Sequence, residues 1–296
     1  MFFDLLRQPF VQHALIAGAI VAVVAGVIGP FVITRNMAFA VHGISELAFT
    51  GASGALLLGV DPVQGALAGS VVVAAMIGVL GLRDRERDSV IGTILAFGLG
   101  LGVLFLSLYH RYATAAFNLL FGTITGVSTA QVELLAGCGV LVLALVAAMY
   151  RPLMFASVDP EVAEARGVPM RVLSIAFLVV LGFAVAEAVQ VVGVLLVLTL
   201  VVTPAAAAQR LTARPGMVVV LSVVIALAAS VGGILISLTH AIPVSVFVSF
   251  ISFGCYVMAR LVGSWLRARP GRRGATPPGP TGAPGSGAGV TVGATG

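Results

Sequence analysis

The chain has 296 residues, 59% of them hydrophobic and only 9% charged, with a net charge of +5 and a mean hydropathy of +1.14. A soluble domain of this size would have to expose an apolar surface, so the composition excludes one and points to an all-α polytopic membrane bundle. Nucleic acid is excluded as a partner too, because the basic residues are all arginines strung around apolar runs, where they report orientation.

A helix needs about 20 apolar residues to cross a bilayer, and nine such runs can be placed along the chain. The first, 11–33, is longer than the ~7–15-residue apolar core of a signal peptide and reads as a retained span. The second, 40–59, starts among polar residues and carries Gly43, Gly51 and Gly54, so a broken or unwound helix is expected there. It also holds His42 and Glu46. Their i, i+4 spacing puts both on one helix face, and ionisable groups inside a span are functional by default. An imidazole nitrogen with a carboxylate oxygen is a usual donor pair for Zn²⁺ or Mn²⁺. Two donors cannot hold a metal tightly, which suits a transit site and excludes a tight structural one. A structural His–Glu hydrogen bond between helices accounts for the pair equally well.

The third run is 62–82. The alternating charges Arg83-Asp84-Arg85-Glu86-Arg87-Asp88 then read as a solvated turn, or as a second docking surface. The fourth is 89–109. The Gly- and Thr-interrupted stretch 112–130 is too irregular for a span and fits a partial helix or a re-entrant segment.

The fifth run, 131–150, leads into a charged stretch, 151–171. Within it, Asp159-Pro160-Glu161-Val162-Ala163-Glu164-Ala165-Arg166-Gly167-Val168-Pro169 suits a stubby helix across the membrane face, on which a soluble partner docks. The sixth run, 171–188, ends near Glu187, which reads either as an interfacial, solvated acid or as a pathway residue near the outer mouth. The seventh, 190–208, contains Pro204 ahead of a run of alanines, giving either a bend at a gate or a plain kink. The eighth and ninth are 217–239 and 242–265. Residues 1–265 thus form the transmembrane domain. The Pro-, Gly- and Ser-rich stretch 266–296 cannot bury a core and reads as a disordered cytoplasmic tail.

Orientation follows from the arginines. One side collects Arg35, Arg83, Arg85, Arg87, Arg151, Arg166, Arg171, Arg210, Arg214, Arg260, Arg267, Arg269, Arg272 and Arg273, and the other keeps Arg7 and Arg111. The positive-inside rule places the rich side in the cytoplasm, with the N-terminus outside and the tail inside. His13, His110 and His240 then fall at outer ends as interfacial residues. Cys138 and Cys255 lie within apolar runs as small buried hydrophobes.

No phosphate-binding glycine loop, nucleophile elbow or His-Glu-x-x-His motif is present, so the chain reads as a non-enzyme. Any ATP would be hydrolysed on another chain. Val191 to Ala208 is similar to the Val-Gly-x-Leu-Leu…Pro-Ala-x-x-Ala span of the membrane permeases of bacterial zinc and manganese ABC importers. Leu120-Phe121-Gly122 with Val127-Ser128, and Asp159…Ala163…Gly167, resemble two further segments of that family. The resemblance covers roughly residues 11–265. It departs at the second span, where the family commonly has Asp followed four residues later by His. Here the order is His42 then Glu46, and Thr50-Gly51 stands in place of Pro-Gly.

The resemblance implies a permease of the bacterial plasma membrane with no tightly bound cofactor. It would pass a divalent metal, zinc or manganese, with zinc favoured by the His–carboxylate donor pair, along a path that includes His42, Glu46 and, on the pathway reading, Glu187. It implies three partners: a separate ATPase, an extracellular metal-binding protein and a second copy of the permease. Asp159, Glu161, Ala163, Glu164 and Gly167 would form the coupling helix for the ATPase. The competing readings are a stand-alone secondary transporter, which needs more membrane acids, and a membrane scaffold in which His42 and Glu46 are structural.

Overall fold

The computed structural model of the protein describes residues 8–81, 84–109, 120, 122, 127–239 and 243–268. These are helical throughout, with no strand among them. The helices are α1 (Pro9–Thr34), α2 (Ala38–Leu58), α3 (Pro62–Leu80), α4 (Asp84–Ser107), α5 (Thr129–Val158), α6 (Pro160–Ala165), α7 (Met170–Val192), α8 (Val197–Leu211), α9 (Pro215–Ser237) and α10 (Val244–Ala268). Local sequence explains their starts. Prolines open α1, α3, α6 and α9 at the first turn, where a missing N–H is no loss. Ser128 and Gln131 form a reciprocal capping box at the start of α5.

Among the described residues, eight helices are long and apolar enough to cross a membrane; α8, with 15 residues, is shorter. The nine runs therefore resolve as eight full spans and one partial one. The reason is a break in the backbone at Gly193 (φ 80°, ψ 161°), followed by the single 3₁₀ turn Val194–Leu196. Gly122 packs directly on this break: a Cβ there would lie 2.6 Å from the Val191 carbonyl oxygen and 2.9 Å from the Gly193 nitrogen. Two of the segments that carry the family resemblance thus meet at one point.

Two helix groups make the bundle. In one, α2 packs most extensively on α3 and α4, and α3 on α7; in the other, α8, α9 and α10 pack mutually, with α1 laid against α8 and α9. Helix α5 lies against α1 and α7. The bundle has two distinct ends. Arg35, Arg87, Arg171 and the α6 residues Glu161 and Glu164 line one cavity of about 460 Å³ at the first end. Asp61, Gln131 and Gln190 line another, of about 200 Å³, at the opposite end.

Two expectations are corrected. The second span is a regular helix from Ala38 to Leu58, because its glycines serve packing and leave the backbone unbroken. The charged run after residue 83 is helical from Asp84 onward and so is no turn. Most of 112–130, His110, Arg111, His240 and the tail beyond 268 lie outside the described residues.

Candidate functional site

Helix α2 is held at both ends and on two sides. Before it, Asn36 turns the chain in the left-handed region (φ 53°), and the Met37 N–H reaches back to the Val32 carbonyl at 2.8 Å. After it, Gly59 (φ 71°) caps the helix and Asp61 Oδ1 accepts from the Val63 N–H at 2.9 Å to start α3. Along the α2–α3 contact the backbones touch. A Cβ on Gly69 would come within 2.6 Å of the Leu47 carbonyl, and Gly51 and Gly65 each face the other's carbonyl more closely still. On the α4 side, Thr50 Oγ1 donates to the Gly98 carbonyl at 2.7 Å.

His42, Glu46, Phe49 and Ser53 share a further stripe, at helical spacing, along which the Phe49 ring reaches Gly102 of α4. Ser53 and Phe49 are buried, Glu46 is 6% exposed and His42 is half-buried. Exposure along the stripe thus increases toward His42, and the His42 and Glu46 side chains lie near enough to interact electrostatically. No group of three or more His, Cys, Asp or Glu residues able to hold a metal occurs among the described residues. The pair offers one imidazole nitrogen and one or two carboxylate oxygens on one helix face.

Glu187 is elsewhere. It is fully buried, and neither carboxylate oxygen has a hydrogen-bond partner of good geometry among the described residues. Cys138 is the polar side chain that faces it, and a Cβ on Gly139 would lie 3.5 Å from Oε1. A solvated, interfacial acid is therefore excluded: α7 runs on to Val192, so Glu187 sits inside the helix against α5. Both α2 and α7 start at the arginine end. At 1.5 Å per residue, Glu46 lies about 12 Å along its helix and Glu187 about 25 Å along its own. The structure brings His42 and Glu46 together and leaves Glu187 apart from them.

At the arginine end, the short helix expected from sequence is α6. Asp159 caps it, with Oδ1 accepting from the Val162 N–H at 3.0 Å. Gly167 (φ 84°) closes it, and the Val168 N–H returns to the Ala163 carbonyl at 3.0 Å. From Asp159 to Gly167 only Ala163 is buried, at 0% exposure. This corrects its assignment as a contact for a partner: Ala163 points inward and seats α6 on the bundle. Glu161, Val162 and Glu164 are exposed. Behind them Arg35 Nη2 donates to Ser174 Oγ at 2.8 Å, and its guanidinium lies 5.6 Å from the centre of the Phe177 ring.

Sequence reasoning passed over the cavity at the opposite end. Its polar residues are far apart in the chain, on α3, α5 and α7, and each alone reads as a cap or an interfacial residue.

The sequence profile of the ABC 3 transport family matches residues 7–263. The chain is 29% identical over 260 residues to the manganese transport system membrane protein MntC of Halalkalibacterium halodurans, covering 87% of this chain and 89% of that one. It is 31% identical over 209 residues to the manganese import system permease protein ScaB of Streptococcus parasanguinis, covering 70% and 74% of the two chains. Among solved structures, PsaBC from Streptococcus pneumoniae in complex with Fab superposes with a TM-score of 0.78 at 28% identity, over 87% of this chain and 94% of that one.

Proposed function

Since the chain belongs to the ABC 3 transport family, we propose that it is the membrane permease of an importer for a divalent transition metal, energised by a separate ATPase. One observation carries the choice of cargo: His42, half-buried, and Glu46, buried, sit one turn apart on the same face of α2 inside the bundle. An N,O pair of this kind serves both Mn²⁺ and Zn²⁺. The relatives above are named for manganese, which puts manganese ahead of the zinc that the donor set alone suggests.

The arginine end faces the cytoplasm by the positive-inside rule, in a bacterial plasma membrane. The ATPase docks on the exposed side of α6, through Glu161, Val162 and Glu164, while Asp159 and Gly167 define that helix's two ends. A metal-binding protein delivers the ion at the opposite end. A second copy of the chain supplies a second His42/Glu46 pair, raising two protein donors to four along one path. A gradient-driven secondary transporter is the lesser reading, since Glu187 does not join the pair. The test is uptake of Mn²⁺ and of Zn²⁺ by vesicles containing the chain with its ATPase, with and without ATP. ATP-dependent uptake abolished by His42→Ala supports the reading; uptake that persists without ATP contradicts it.

A further inference from the structure

Helices α5 and α9 both pack on α1 but make no extensive contact with each other, which leaves a trough between them. Two cavities lie along it, of about 390 and 280 Å³, and they share Phe31 and Val219. One stripe of α5 walls both: Leu143, Ala147 and Arg151 in the larger, Met154 and Ser157 in the smaller, at helical spacing. At 1.5 Å per residue the stripe is about 21 Å long. That is about half of the ~40–45 Å of a bilayer counted with its headgroups. The trough begins among Val27, Leu143 and Val146 and ends among Thr34, Ser157, Gln209 and Thr212, so one end is apolar and the other has a polar rim. Between them stand Arg151 and Tyr150, whose ring meets Phe31 edge-on at 5.8 Å. Aromatic and basic side chains at one level mark a membrane–water boundary.

The charge along the trough has one sign. Arg151 is the charged residue of the two linings, and neither contains an acid. Exposed Arg210 and Arg214 lie within 209–215, the segment that closes the smaller cavity. The acids nearest along the chain are committed to α6. Asp159 caps that helix, and Glu161 and Glu164 line the cavity that holds Arg35, Arg87 and Arg171.

We propose that one anionic phospholipid of the leaflet at the arginine end lies in this trough, an acyl chain along the apolar part of the α5 stripe and its phosphate against the Arg151 guanidinium. The chain covers apolar wall that no helix covers, and a guanidinium meets a phosphate with two parallel N–H donors. A zwitterionic headgroup would bring a cation among three arginines; an anionic one does not. The inference goes beyond the importer reading and needs only that α1, α5 and α9 span the membrane.

The test is native mass spectrometry of the full chain released from detergent micelles, with phosphatidylglycerol or phosphatidylcholine titrated in. The chain should hold one phosphatidylglycerol in preference to phosphatidylcholine. Arg151→Gln should weaken that binding about fivefold, the effect of one basic side chain at an anionic lipid surface, and Arg151→Lys should keep most of it. Ala147→Phe fills the trough from an exposed position and leaves the charge, and it should weaken binding as much. Arg260→Gln, at an exposed arginine outside both linings, should change nothing. Equal binding of the two lipids overturns the proposal, as does binding unchanged by both Arg151→Gln and Ala147→Phe. A dimer in the same spectra that Ala147→Phe splits would show a second copy in the trough and overturn it too. No metal or ATP enters the measurement, so a chain that holds the lipid but transports no metal would sink the importer reading alone.

Discussion

Two carboxylates lie inside this bundle, and they differ in almost everything except burial. Glu46 shares a helix face with an imidazole four residues away, and that His42 is half-buried. Glu187 is sealed between α7 and α5, with the Cys138 thiol facing it and no hydrogen-bond partner of good geometry for either oxygen among the described residues. An unsatisfied buried polar group costs about 1–3 kcal/mol, and only Glu46 has an imidazole beside it. Burial of an acid in a membrane helix thus marks a site only when a second donor on the same face comes with it.

The sharpest way to break this contrast is on transport. Glu46→Gln and His42→Ala should each lower Mn²⁺ uptake more than tenfold with the protein still present in the membrane, whereas Glu187→Gln should leave it within about twofold. Matching losses at both acids would put Glu187 on the path after all. The next largest effect separates cargo from drive: Glu161→Arg with Glu164→Arg should cut co-purification of the ATPase several-fold and leave Mn²⁺ binding at Glu46 intact. Loss of that binding would tie α6 to the site directly. A smaller effect concerns stability. Glu187→Leu removes the orphaned group and should raise the melting temperature in detergent by a few degrees, at about 2–4 °C per kcal/mol, and a fall would show that the carboxyl has a partner. Ala163→Trp belongs with this measurement, since a large ring forced under α6 should cost about 1–3 kcal/mol. The smallest effect is none at all: truncation after Arg273 should change neither level nor uptake.

The apolar runs and the arginines made the number and order of the helices legible, and Asp159 and Gly167 marked the ends of α6. The glycines of α2 misled because Gly43, Gly51 and Gly54 look the same in sequence whether they break a helix or admit a neighbour. Here they admit Ile91, Gly65 and Phe105. The true break, at Gly193, lies in an apolar stretch where only the partner backbone of Gly122 reveals it. Ala163 was misread because a helix of six residues is too short for a periodic pattern to say which side faces in. The pair His42/Glu46 was legible from spacing alone; the isolation of Glu187 was not, since it depends on where α5 crosses α7.

The contact of α2 with α3 has a mechanical consequence. Where Gly51 and Gly65 bring two backbones together and the Gly59–Asp61 turn ties them at one end, the helices have no room to slip past each other by a turn. They form one lever, with Asp61 at its tip and His42 near its root. The joint at its root is the left-handed step at Asn36. Any tilt of the root therefore moves the tip by a fixed proportion, so the two ends of the pair can only move together.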